Sequence, residues 1–129
     1  MSDDPTSPER SWGDKFRDAF RGLKAGVRGQ STFLVHFFAA AAVIAAAAVL
    51  RVDRYEWCLL LLCITVVLVA EMFNSALESM AKAITSEHDP HIGNSLDIAA
   101  AAVLVASIGA AIVGAIIFGI RLGILLGWW

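Results

Sequence analysis

The chain has 129 residues, of which 58% are hydrophobic and 17% are charged, and its mean hydropathy is +0.70. The length fits one domain, and the hydropathy excludes a soluble globular protein and predicts an integral membrane protein. The formal net charge of −2 says little about partners, and we expect no nucleic-acid partner.

The first part of the chain divides into a polar tail and a helix. Residues 1–9 have no apolar periodicity, so we predict a disordered tail, followed by one membrane domain over residues 10–129. Within residues 11–28 five apolar side chains recur at helical spacing: Trp12, Phe16, Phe20, Leu23 and Val27. Because Lys and Arg flank this stripe, we predict an amphipathic helix lying in the membrane interface. A soluble helix packed on a partner is the alternative.

Three hydrophobic stretches follow, at about residues 32–50, 57–80 and 98–120. Each is long enough to cross a hydrocarbon core, which takes roughly 20 helical residues. The first is rich in Ala and the third in Gly and Ala, and such small residues let helices pack closely in lipid. The predicted fold is therefore all-α and integral to the membrane, with one surface helix and three transmembrane helices.

The Lys and Arg residues are distributed unequally between the two ends of these spans. Seven belong to the N-terminal region and the segment after the second span: Arg10, Lys15, Arg17, Arg21, Lys24, Arg28 and Lys82. Only three belong to the other end: Arg51, Arg54 and Arg121. Since positive charge favours the cytoplasmic side, we place the N-terminus and a loop at 81–97 in the cytoplasm.

The second span ends in a polar sequence, EMFNSALE, at residues 71–78. Ionisable groups at membrane depth are costly and therefore usually mark a functional site. Glu71, Asn74 and Glu78 fall at i, i+3 and i+7, which puts them on one helical face. Two carboxylates on one face suit a divalent cation and a general base. Three helices cannot enclose this face, and its burial favours an oligomer.

Polar residues also fill the segment between the second and third spans: Glu87, His88, Asp89 and His91. These side chains could ligate a transition metal, or a histidine could act as a base or nucleophile in phosphate chemistry. The alternative is a solvated loop in which Pro90 enforces a turn and Asp97 caps the third span.

The chain contains four short motifs that are considered together: E-x-x-N-S-A-x-E at 71–78, D-I-A-A-A-A-V-L at 97–104, F-R-G-L-K-A at 20–25, and Glu56-Trp57. Together these motifs resemble the small prokaryotic diacylglycerol kinase and undecaprenol kinase family, over about residues 15–120. The resemblance implies a homotrimer in the bacterial cytoplasmic (inner) membrane. It also implies transfer of the γ-phosphate of Mg-ATP to the hydroxyl of a membrane lipid, diacylglycerol or undecaprenol.

The resemblance implies roles for individual residues as well. Glu71 corresponds to the general base, Asn74 to a polar catalytic residue, and Glu78 to a carboxylate that binds Mg²⁺. Besides Glu78, the residues expected to contact the nucleotide are Glu87, His88, Asp89, Asp97 and Arg21. The lipid substrate is expected to contact Glu71, Ser75 and Asp97.

Three positions depart from the family pattern. Gln30 stands where a metal-binding Glu is usual, Leu96 stands where a Lys is usual, and Lys82 replaces an acid. A site with one carboxylate fewer and no phosphate-binding Lys should bind Mg-ATP more weakly. Three alternatives to an active kinase therefore stay open: a lipid-phosphate phosphatase on the same scaffold, a catalytically weakened family member, and a non-catalytic trimer that binds lipid or a partner.

Overall fold

Four α-helices make up the computed structural model, which describes residues 10–29, 31–84 and 87–129. In chain order they are α1 (Trp12–Gly29), α2 (Ser31–Leu50), α3 (Arg54–Ile84) and α4 (Pro90–Leu125). The described ranges contain no β-strand, so the prediction of an all-α fold is confirmed. The predicted disordered tail at residues 1–9 and the predicted site residue Gln30 lie outside the described residues.

Helices α2, α3 and α4 are each long and apolar enough to cross a membrane. Most of their large apolar side chains are exposed, as befits surfaces that face lipid rather than water. The three predicted transmembrane helices are thereby confirmed, and the chain is a multi-pass membrane protein. At about 1.5 Å per residue, α3 and α4 exceed a hydrocarbon core about 30 Å thick, so their ends extend beyond it.

Helix α1 has the predicted amphipathic character, with its aromatic stripe exposed. A capping box starts it: the backbone N–H of Asp14 donates to the Ser11 hydroxyl at 3.2 Å, and the backbone N–H of Ser11 donates to the Asp14 carboxylate at 3.4 Å. The hydrogen bond with the Ser11 side chain, with help from Arg17 and Arg10, lowers the pKa of Asp14. The ammonium of Lys15 lies 4.6 Å from the Trp12 ring centroid, a cation–π contact.

The connection between α3 and α4 is shorter than the sequence predicts. A loop is expected over 81–97, whereas α3 continues to Ile84 and α4 begins at Pro90. The N-cap of α4 is Asp89, so the alternative in which Asp97 caps the third span is wrong. The Asp89 carboxylate accepts from the backbone N–H groups of His91 at 2.8 Å and Ile92 at 3.2 Å. Proline suits the first turn of a helix because its missing N–H is not needed there.

At the other end of the bundle, a capping box begins α3. The Asp53 N–H donates to Glu56 Oε1 at 3.0 Å, and the Glu56 N–H donates to Asp53 Oδ1 at 2.8 Å. This hydrogen bond from the Glu56 backbone is the main cause that lowers the pKa of Asp53. Arg121 Nη2 donates to the same Glu56 Oε1 at 2.7 Å, which ties the start of α3 to the last turns of α4.

Removing this interhelical ion pair is expected to destabilise the fold. Arg121→Met should lower the free energy of unfolding by about 1.5–3 kcal/mol, because Glu56 loses its charged hydrogen-bond donor while partly buried. The control is Arg54→Met, since Arg54 is exposed and lies against Tyr55 on its own helix. Equilibrium unfolding in mixed detergent micelles measures both variants. Equal stability of the two variants would contradict this role of Arg121.

Candidate active site

Three polar side chains of α3 are buried at one level of the bundle. Glu71 is 3% exposed, and Asn74 and Ser75 are each 9% exposed, so the expectation that three helices cannot enclose the polar face is wrong for Glu71 and Asn74. Glu71 lies 17 residues after Arg54, so it is roughly 26 Å along the helix from the end that carries Arg121. The helix continues without a break through this polar level, as the sequence predicts.

Glu71 faces a histidine of the first membrane helix. His36 Nε2 lies 3.5 Å from Glu71 Oε2, and the two side chains are 21% and 4% exposed. His36 is not among the site residues that the sequence predicts. The structure pairs it with the proposed base of its own chain, a contact the sequence does not predict. The sequence feature that singles out His36 is that it is the one ionisable residue in α2.

Asn74 links this buried level to the end of α3. Its Nδ2 donates to Glu78 Oε1 at 3.0 Å, so two residues of the predicted face form a direct hydrogen bond. Among the described residues, neither Asn74 Oδ1 nor Ser75 Oγ has a hydrogen-bond partner, although both atoms are buried. Buried polar atoms normally find partners, so these two atoms are suited to contact a substrate or a neighbouring chain.

A pocket of about 380 Å³, named the polar pocket for the ionisable side chains among its lining residues, lies between the end of α3 and the start of α4. It brings together four residues predicted to contact the nucleotide, one from α3 and three from the connection to α4: Glu78, Glu87, His88 and Asp89. Its other lining residues are Ala81, Lys82, Ile92, Gly93 and Leu96. The pocket therefore offers carboxylates, an imidazole and an ammonium within one cavity.

Two apolar grooves reach the same polar level. The larger one, about 490 Å³, lies among α2, α3 and α4, and His36 is one of its lining residues. The second, about 420 Å³, lies between α3 and α4 and is lined mainly by apolar side chains together with Asn74 and Ser95. Asn74 thus borders an apolar groove while its partner Glu78 borders the polar pocket.

Other predicted site residues lie apart from this cluster. Arg21 is exposed on α1 and forms an ion pair with Asp18 of the same helix. Asp97 is exposed on α4, next to Leu96, which lines the polar pocket. Both residues are therefore accessible to a ligand or to another chain, but they do not join the buried Glu71 level.

The available donor side chains limit which metal ion the site can hold. Within residues 10–29, 31–84 and 87–129, no three His, Cys, Asp or Glu side chains are grouped to hold a metal. The predicted transition-metal alternative at the α3–α4 connection therefore has no support there. Mg²⁺ has a different requirement, because it keeps several waters and binds one or two carboxylates together with substrate phosphates. Glu78, with Glu87 and Asp89 around the same pocket, fits that requirement.

Comparison with known proteins agrees with the motifs and the fold. The family model described as prokaryotic diacylglycerol kinase matches residues 17–118, which include the polar level and the polar pocket. A curated relative named diacylglycerol kinase, from Synechocystis sp., is 35% identical over 100 residues, covering 77% of this chain and 57% of the relative. The chain thus spans little more than half the length of that relative. On these findings, the chain belongs to the prokaryotic diacylglycerol kinase family.

Proposed function

We propose that the protein is a lipid kinase that transfers the γ-phosphate of ATP to the hydroxyl of a membrane lipid, diacylglycerol or undecaprenol. The observation that carries the proposal is the continuity along α3. Buried Glu71 faces His36, which lines an apolar groove, and the Asn74–Glu78 pair leads from a second apolar groove into a polar pocket. A lipid kinase needs an apolar surface for its lipid acceptor and a polar site for the phosphates of ATP. It also needs a general base close to both.

In this mechanism Glu71 is the general base. It accepts the proton of the lipid hydroxyl as the lipid oxygen bonds to the γ-phosphorus and the bond to the β–γ bridging oxygen breaks, which leaves ADP. A positioned base of this kind contributes typically about 10²–10⁴-fold to rate. His36 lies 3.5 Å from the Glu71 carboxylate and holds its orientation, so it is a positioning residue. The buried Ser75 Oγ is the group that contacts the lipid headgroup.

The nucleotide belongs in the polar pocket in this proposal. Glu78 would supply one oxygen ligand to the metal and either Glu87 or Asp89 a second, and His88 lies in the same cavity. When bound there, Mg²⁺ would neutralise charge on the phosphate oxygens. Asn74 fixes the Glu78 carboxylate through its 3.0 Å hydrogen bond, so the metal-binding end of α3 is oriented from the buried level.

A homotrimer with sites between adjacent chains is part of the proposal. It is supported by Asn74 Oδ1, a buried polar atom that lacks a partner within the described part of one chain. Asp97 and Arg21 are exposed in the single chain, so both are accessible to a site that an adjacent chain completes. We place the N-terminus and the α3–α4 connection on the cytoplasmic side of the bacterial inner membrane, where ATP is available.

Purified protein in mixed micelles tests the proposed activity. The protein is given γ-labelled ATP with diacylglycerol or undecaprenol, and, separately, a labelled lipid phosphate. Label in the lipid product supports the kinase. The second candidate, a lipid-phosphate phosphatase, is favoured by His88 in the polar pocket, because a histidine can act as a nucleophile on phosphorus. Release of phosphate from the lipid phosphate, without transfer from ATP, would support that candidate instead.

Restoring the usual family residues is expected to raise kinase activity. Gln30→Glu with Leu96→Lys adds a metal carboxylate and a phosphate-binding ammonium, so transfer should increase by about tenfold or more. The matched control, Gln30→Asn with Leu96→Met, alters the same positions without changing charge. Initial rates of lipid phosphorylation measure both variants. No gain, together with phosphate release by the unaltered protein, would favour the phosphatase.

A further inference from the structure

The polar pocket between α3 and α4 contains one cationic side chain of the Lys or Arg type. Among the described residues that line it, Lys82 alone carries such a charge, beside three carboxylates: Glu78, Glu87 and Asp89. An ATP triphosphate in this pocket would be repelled by those carboxylates unless cations meet its oxygens. The pocket therefore draws its fixed positive charge from Lys82.

The position of Lys82 suits that task. It follows Glu78 by four residues on α3, so the two side chains lie one turn apart on the same helical face. Lys82 is exposed, which leaves its ammonium hydrated and able to reach a ligand in the pocket. From the facing helix α4, the pocket receives Leu96, an apolar side chain that cannot bind phosphate.

We propose that Lys82 is the phosphate-binding cation of this site, contacting the β- and γ-phosphate oxygens of the nucleotide. The inference rests on the proposed kinase function, since it takes ATP as the ligand of the polar pocket. Helix α3 then supplies both the carboxylate that holds Mg²⁺ and the ammonium that holds the phosphates. A hydrogen bond between the Lys82 ammonium and a phosphate oxygen is charge-assisted, and such bonds are stronger than hydrogen bonds between neutral groups.

Nucleotide binding without a lipid acceptor tests this assignment directly. The full chain, purified in lipid nanodiscs, is titrated with Mg-ATP and with AMP by equilibrium dialysis. Lys82→Gln should weaken Mg-ATP binding by about tenfold or more, because a charged hydrogen bond to phosphate is lost. AMP has no β- or γ-phosphate, so its affinity should stay nearly unchanged. Lys82→Arg should retain most of the Mg-ATP affinity.

Two further variants make the test specific. Lys82→Gln with Leu96→Lys returns an ammonium to the same pocket from α4 and should restore Mg-ATP binding. The control Arg54→Gln also removes one cation from α3, but at a position 28 residues away, roughly 42 Å along the helix. It should leave the affinity for both nucleotides unchanged.

Each outcome has a definite consequence. Equal Mg-ATP affinity in Lys82→Gln and the unaltered protein would overturn the assignment of Lys82 and leave the kinase proposal standing. Equal losses for Mg-ATP and AMP would also overturn it, because the contact would not be with the outer phosphates. Mg-ATP binding that depends on Lys82, without any lipid phosphorylation, supports the assignment and overturns the kinase. An unaltered protein that binds neither nucleotide overturns both.

Discussion

Replacing Glu71 with Gln is expected to lower the rate of lipid phosphorylation by about 10²–10⁴-fold and to leave nucleotide affinity nearly unchanged. Gln has the shape of Glu and keeps an oxygen that faces His36, but it cannot accept the proton of the lipid hydroxyl. Glu71 is also absent from the described residues that line the polar pocket, so its charge is not used to bind the nucleotide. Initial transfer rates and Mg-ATP titrations on the same preparation separate the two quantities.

The matched control makes the same chemical change elsewhere on α3. Glu56→Gln lies 15 residues earlier, roughly 22 Å along the helix, and affects the ion pair with Arg121. It should reduce stability but leave the rate per folded molecule unchanged. A Glu71→Gln variant that keeps its transfer rate, or that loses Mg-ATP affinity as much as rate, would contradict the role of Glu71 as the base.

The second large effect is expected at Glu78. Glu78→Gln should weaken Mg-ATP binding by at least about tenfold and lower transfer with it, because the carboxylate is a proposed ligand of Mg²⁺. The Gln side chain still offers an oxygen to Asn74 Nδ2, so the substitution removes charge and preserves the 3.0 Å hydrogen bond. Because Gln30 replaces the usual metal-binding Glu, Glu78 has one carboxylate fewer beside it. Its substitution should therefore cause a larger loss of Mg-ATP affinity.

Titration with and without Mg²⁺ identifies the cause of that loss. In excess chelator, ATP affinity of Glu78→Gln should equal or exceed that of the unaltered protein, because a negative charge has left the pocket. Glu56→Gln serves again as the control for a Glu-to-Gln change on α3. Equal loss of ATP affinity in the presence and absence of Mg²⁺ would show that Glu78 does not act through the metal.

Much of the fold follows from hydrophobic length and periodicity along single segments. The aromatic stripe of α1 and the three apolar spans identify all four helices, because each signal is contained within one helix. The ends of the helices are harder to predict from the sequence. The polar residues from Pro90 to Asp97 resemble a loop in composition, yet Asp89 caps α4 and Pro90 starts it, so the segment is helical.

The candidate site shows the same division between local and distant information. The face shared by Glu71, Asn74 and Glu78 follows from their spacing in one helix, and the Asn74–Glu78 hydrogen bond is consistent with it. The pairing of His36 with Glu71 depends on how α2 packs against α3. The contact of Arg121 with Glu56 joins residues 65 positions apart. Periodicity within one helix does not show which residues of two different helices face each other, so neither contact follows from it.

The central claim, direct phosphorylation of a lipid hydroxyl at Glu71, is tested by following the oxygen of the acceptor. Diacylglycerol carrying ¹⁸O in its hydroxyl is incubated with the purified protein and Mg-ATP, and the lipid product is analysed by mass spectrometry. We expect a lipid phosphate that retains the ¹⁸O in its ester linkage, and very little of this product from the Glu71→Gln variant. Undecaprenol labelled in the same way gives the second acceptor. Absence of a phosphorylated product from both lipids, or a product without ¹⁸O, would contradict the account.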